Sequence, residues 1–221
     1  MLLYLIIGVA AFYFLTKKSN TKLLDSFRPS DQSIENDFIA LRKDLDAAIS
    51  TLIPWGDEEL RLLSFKQQKT KKSQLITTVR SGVFTTIYDE PVLAYSLKKY
   101  ASSKTNIIVT AHTSDTEFQF HIFPEETQIR IDKQAVGILK PNGMLYPLKG
   151  SSPLARIAAT SASDLSAPIY VSERLVASMT LEGRSRKINP RVFEEASSQL
   201  STSEEKILLA IAIPTLLKSQ F

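Results

Sequence analysis

The sequence predicts a mainly β fold with some helix: about twelve antiparallel strands in a barrel around a buried C-terminal helix, preceded by an N-terminal transmembrane helix and an amphipathic helix. Three observations predict it. The chain closes on SEEKILLAIAIPTLLKSQF, in which no residue from Ile207 to Ile213 is polar. From residue 75 the apolar period falls to two, and short strand-like segments follow one another between turn signals. The chain opens MLLYLIIGVAAFYFLTKKSN, uncharged and almost wholly apolar from Leu2 to Leu15.

The opening segment is short for a membrane span. As a helix, Leu2 to Leu15 covers about 21 Å against a hydrocarbon core of about 30 Å. Lys17 and Lys18 can extend it by snorkelling, and Tyr4 and Tyr13 suit the interface. A secretory signal carries positive charge before its apolar run and small residues after it; here the run starts at once and Thr16-Lys17-Lys18 follows. The segment therefore reads as an uncleaved single-pass anchor over residues 1–16, with a cleaved signal and a buried N-terminal helix as the alternatives. Lys17, Lys18 and Lys22 lie just after the anchor, which places the rest of the chain in the cytoplasm.

Residues 17–56 read as a juxtamembrane linker and an amphipathic helix. In DQSIENDFIALRKDLDAAISTLIP the apolar positions are Ile34, Phe38, Leu41, Leu45, Ala48 and Leu52, spaced as a heptad stripe. Ser30 or Asp31 can cap its start, and Pro54 is expected to end it. Such a stripe over 31–53 either packs on its own domain or pairs with a second copy beside the membrane. Trp55, in PWGDEEL, reads as a packing residue before a short helical stretch.

The domain of 57–221 begins with a basic stretch. FKQQKTKKS carries Lys66, Lys69, Lys71 and Lys72, which can meet anionic lipid headgroups near a cytoplasmic membrane face. A solvated loop is the plainer reading of the same charge run. From there roughly eleven strand-like segments run from LITTVR, VFTTIY and VLAYSLKKY through EFQFHIF and QIRID to PIYVS and LVASMTLE. RSG, HTSDT, FPEET and KPNG read as turns between them. In EFQFHIF, Phe118, Phe120 and Ile122 share one face, and Glu117, Gln119 and His121 the other. A meander of this many one-sided strands closes into a sandwich or barrel.

The closing helix completes the argument. A helix that is apolar all round must be buried on every side. Lys206 to Leu217 reaches only about 18 Å, too short to cross a bilayer unaided. A barrel of this size has room for one helix inside it, so the tail is predicted to be the core.

This pattern resembles the tubby C-terminal-like superfamily, which includes tubby domains, plant LURP-one-related proteins and phospholipid scramblases. The resemblance is carried by the strand succession of 75–182, the phrase FQFHIFPEETQIRIDKQAVGILKPNGMLY and the closing EEKILLAIAIPTLL. It implies a β-barrel around a central C-terminal helix and work at a membrane, with phosphoinositide binding through basic residues in the tubby domains. The chain departs from the family in having its anchor at the N-terminus.

Several functions are excluded or disfavoured by composition. With no cysteine there is no disulfide, thiolate zinc site, thiol nucleophile or acylated cysteine. A net charge of +4, from 27 basic and 23 acidic residues, is too evenly mixed for a nucleic-acid binder. His112 and His121 are the only histidines; His121 shares a face with Glu117, but no third ligand or partner completes a metal or acid–base site. No phosphate-cradling glycine loop and no G-x-S-x-G elbow is present. The expectation is a non-catalytic, cofactor-free binding module. Its ligand is anionic lipid or, in the alternative, it is a membrane scaffold that recruits or pairs proteins through the heptad helix.

Overall fold

Antiparallel pairing runs without interruption from the first strand to the last. A computed structural model of the protein describes residues 30–73 (backbone only at 69–73), 77–100, 106–161, 163–181 and 191–218. The expected transmembrane helix at 1–16 lies outside the described residues; among those described, no helix is long and apolar enough to cross a membrane. Three helices come first: α1 (Asp31–Asp44), α2 (Asp46–Ile49) and α3 (Asp57–Leu62). The strands are β1 (Leu63–Ser73), β2 (Thr77–Thr86), β3 (Pro91–Tyr100), β4 (Ile107–His112), β5 (Glu117–Ile122) and β6 (Thr127–Ile131). They continue with β7 (Gln134–Leu139), β8 (Met144–Pro147), β9 (Ala155–Ile157), β10 (Ser166–Val171), β11 (Arg174–Thr180) and β12 (Phe193–Ala196). Helix α4 (Thr202–Leu216) follows.

Each strand pairs with its sequence neighbour, giving one 12-stranded sheet in chain order. The sheet curls until its ends nearly meet. Ser64 and Arg191 form a single bridge across the seam, and the Val192 N–H donates to the Leu63 carbonyl at 2.7 Å. Helix α3 packs against β12 beside this seam. The result is a nearly closed barrel.

Period-two alternation sends one face of every strand inward. Tyr95, Ala111, Phe118 and Ile131 are aligned across β3–β6 in one register row, and Leu97, Val109, Phe120 and Ile129 in the next. All eight belong to a single buried cluster that also contains α4. Ala210, Ile211, Ala212 and Ile213 have no accessible surface, and α4 touches β6 on one side and β9, β10 and β11 on another. Ser201 starts the helix with a capping box: its hydroxyl accepts from the Glu204 N–H while the Glu204 carboxylate accepts from the Ser201 N–H. The barrel with its buried C-terminal helix is therefore the architecture the apolar tail predicts.

The strand inventory differs in three places. TTVR of one expected segment and VFTT of the next are one strand, β2, and the supposed RSG turn lies inside it. Gly82 is needed there: a Cβ would lie 2.8 Å from the Gln68 carbonyl oxygen and 2.8 Å from the Tyr95 ring. The stretch FKQQKTKKS is not a loop but most of β1, paired along β2. FEEA, too polar and too short to announce itself, is β12. Roughly eleven segments, less one and plus two, give the twelve.

The amphipathic helix stops earlier than Pro54. Ser30 caps it, its hydroxyl accepting from the Ser33 N–H, but the Leu45 N–H turns to the Arg42 carbonyl at 3.0 Å and α1 ends. Its stripe lies on the barrel's outer wall. Phe38, Leu41 and Leu45 are buried, with Phe38 and Leu41 packed on Ile108 of β4, and Ile34, Ala48 and Leu52 are half-buried. Asp37 clamps the helix by accepting from Lys98 Nζ at 2.6 Å and from the Tyr100 hydroxyl. A coiled coil through these residues would require α1 to leave the wall.

Candidate functional site

In a meander, every second connection emerges at the same end of the barrel. One end carries the junctions β1–β2, β3–β4, β5–β6 and β7–β8; the other carries β2–β3, β4–β5, β6–β7 and β10–β11. Charge divides with them. Asp89, Glu90, Asp115, Asp132 and Glu173 outnumber Lys133 and Lys149 in the connections of the second, acidic end, which include β8–β9. At the first, basic end lie Lys71 and Lys72 near the close of β1, Lys98 and Lys99 near the close of β3, and Lys140 after β7. Glu125 and Glu126 in the β5–β6 turn, Asp164 in the β9–β10 connection and Asp31 at the start of α1 partly offset them.

Helix α4 runs from the acidic end to the basic one. Its first turn is tied down by side-chain bonds from Trp55 to Glu205, Lys206 to Asp132 (2.7 Å) and Arg174 to Glu204 (2.6 Å). Its last turn, with Pro214, Thr215 and the following Lys218, emerges between the β5–β6 and β7–β8 turns. Helix α1 starts at the basic end too: Asp31 and Ile34 lie beside His121 and Gln128. The chain preceding Ser30 therefore joins the domain there.

The four lysines of β1 are not one patch. Lys66 forms an ion pair with Asp89 in the β2–β3 turn, at the acidic end. Lys69, Lys71 and Lys72 stand opposite Gly82, Arg80 and Val79 in the register. At about 3.3 Å per residue, Lys66 and Lys72 are separated by about 20 Å along the strand. The structure carries Lys71 and Lys72 towards the basic end, leaves Lys69 mid-strand opposite Gly82, and keeps Lys66 at the acidic end.

The basic end also opens into a recess of about 240 Å³. Ile122 of β5, Leu139 of β7, Ile157 of β9 and Pro214 of α4 supply apolar walls. Lys140 donates to Glu126 at 2.7 Å across its rim, and this bond holds the Glu126 carboxyl below the usual range. Gly143 shapes the β7–β8 turn at φ +81°, where a Cβ would meet the Ile157 carbonyl oxygen at 2.8 Å. Nothing in the spacing of the sequence marks this recess, because its walls come from four separate elements.

A second polar cluster lies on the wall towards the carboxyl end of α1. His112 faces Glu117 across the β4–β5 pair, Nε2 to Oε2 3.6 Å, and Gln119 donates to Glu117 at 2.7 Å. Burial, then the nearby Arg42 guanidinium, push the His112 imidazole down to about 4, against the pull of Glu117, Asp132 and Asp46. His121, the histidine that shares a face with Glu117, instead bonds to Asn106 Oδ1 at 2.9 Å. Among the described residues no group of three or more His, Cys, Asp or Glu could hold a metal ion.

No protein-family model matches the chain, and it matches neither a curated protein nor a solved structure.

Proposed function

We propose that this protein is a membrane-anchored, cytoplasm-facing, non-catalytic binding module whose basic end rests on the anionic headgroups of the bilayer that anchors it. One observation carries the reading: α1 begins at the end of the barrel that holds Lys71, Lys72, Lys99, Lys140 and Lys218. An apolar segment upstream of Ser30 would tether that end to the membrane, where each lysine near the surface adds about 1 kcal/mol of attraction to anionic lipid. Helix α4 packs inside the barrel, which leaves the ends and the outer wall for recognition. The likeness to tubby C-terminal-like proteins supports the same reading, since members of that superfamily work at membranes. The scaffold alternative draws less support, because Phe38, Leu41 and Leu45 are already covered by the barrel.

Two measurements test it. A reporter fused after Phe221 is expected to be active in the cytoplasm; an exported reporter refutes the topology. A fragment starting at Ser30 is expected to co-sediment with vesicles containing phosphatidylglycerol more than with pure phosphatidylcholine. Equal partitioning refutes the headgroup contact.

A further inference from the structure

We propose that the recess at the basic end takes a single acyl chain of an anionic membrane lipid, chain inward and headgroup at the rim. The proposal rests on the reading that this end faces the bilayer, and it adds a hydrocarbon site to the headgroup contact. The lining decides the chemistry. Ile122, Leu139 and Ile157 present aliphatic side chains. Pro124, Pro141 and Pro214 complete the wall with residues that have no backbone N–H to offer a polar guest. Thr127 and Thr215 are the neutral polar side chains of the lining, with Glu126, Lys140 and Lys218 charged at the rim.

Size decides how much of a lipid enters. At about 240 Å³ the recess has room for a short run of methylenes. That is below the roughly 300–1,000 Å³ of a site for a drug-sized molecule, so one chain segment fits and a whole lipid does not. Charge decides the direction. The carbonyl end of α4 opens on the recess and carries partial negative charge, which disfavours an anion at depth. Lys140 and Lys218 stand at the rim with only Glu126 between them in charge, so an anionic head is held outside while the tail enters.

The test uses the full chain held in an amphipathic polymer, so that no bilayer lipid competes. The probe is an alkyl carboxylate of ten carbons with a photoactivatable group at its tail, displaced by unlabelled alkyl carboxylates of six to fourteen carbons. The label is expected on peptides containing Ile122, Leu139, Ile157 or Pro214. Competition should strengthen about fourfold per added methylene, equivalent to about 0.8 kcal/mol, until the recess is filled and then level off. Label spread over the surface, or competition that keeps rising with chain length as bulk partitioning does, overturns the proposal. Thr215→Trp, at the lip of the recess, should lower labelling there with the thermal melt retained; undiminished labelling in a folded variant also overturns it. Recess labelling without any vesicle preference for anionic lipid defeats the orientation of the barrel and spares the site. Vesicle preference without recess labelling defeats the site alone.

Discussion

Trp55 and Glu205 lie 150 residues apart in sequence and are joined by a hydrogen bond, the indole N–H donating to the carboxylate. The bond ties the segment before α3 to the first turn of the core helix, and the Trp55 backbone N–H adds a second tie to the Ser114 hydroxyl at 2.9 Å. Burial raises the Glu205 pKa; the Trp55 bond lowers it, and Asp57 and Asp115 raise it further. A carboxyl whose folded pKa lies above its unfolded one adds stability at low pH that is lost as pH rises through the folded value. Glu205→Gln keeps an acceptor for Trp55 and removes the charge, so its urea midpoint at pH 7 should be higher than that of the parent. Trp55→Phe leaves a half-buried carboxylate without its donor and should cost about 1–3 kcal/mol. A Trp55→Phe variant of unchanged midpoint would show that the tie is incidental.

His112 makes the outer wall sensitive to acid. Its folded pKa, about 4, lies below the unfolded value of about 6.5. The unfolded chain therefore takes up a proton first as pH falls, and the stability present above about pH 6.5 declines towards pH 4. The imidazole of His112 should stay neutral at pH 5.5 in an NMR titration. His112→Gln should flatten the acid side of the stability profile. Protonation of His112 near pH 6.5 in the folded protein refutes the burial argument.

The separation of Lys66 from Lys71 and Lys72 predicts unequal effects. Changing Lys71 and Lys72, the distal pair, to Gln should weaken binding to anionic vesicles by about 1 kcal/mol for each lysine that meets the surface. The loss should be largest at low ionic strength, because at 0.1 M salt the screening length is about 10 Å. Lys66→Gln alone should leave binding nearly unchanged, since its partner is Asp89 at the other end. Equal losses from Lys66 and from the distal set would mean that the whole strand lies on the membrane.

Helix α4 should be indispensable to the barrel. Ile211 has no accessible surface, and a polar group buried there without a partner costs roughly 2–7 kcal/mol. Whole domains are stable by only about 5–15 kcal/mol, so Ile211→Asp should leave little folded protein. Fragments for this comparison should start at Ser30, which keeps α1 on the wall. The 30–221 fragment is expected to melt cooperatively and the 30–202 fragment to show no cooperative transition. Similar melts would show that the helix is not the core.

The sequence by itself determined what depends on local periodicity. Alternation in EFQFHIF and QIRID named the inner faces of β5 and β6, and the all-apolar run after Lys206 announced a helix buried on every side. The first four connections, KTKKS, YDEP, LKKY with its following loop, and HTSDT, already alternate basic and acidic, but that order has meaning only once the strands are known to pair as a meander. The tertiary structure decided whatever depends on partners distant in sequence. It made FKQQKTKKS a strand, because pairing with β2 satisfies a backbone that charge composition assigns to a loop. It joined TTVR to VFTT in one strand, because Gly82 gives way to the Tyr95 ring from the next strand. It turned the heptad stripe of α1 inward, since an apolar stripe is covered equally well by a second helix or by Ile108 and its neighbours, and spacing cannot distinguish them. The recess at the basic end exists only where four elements meet, and side chains brought together by closure of a barrel leave no periodic trace in the chain that supplies them.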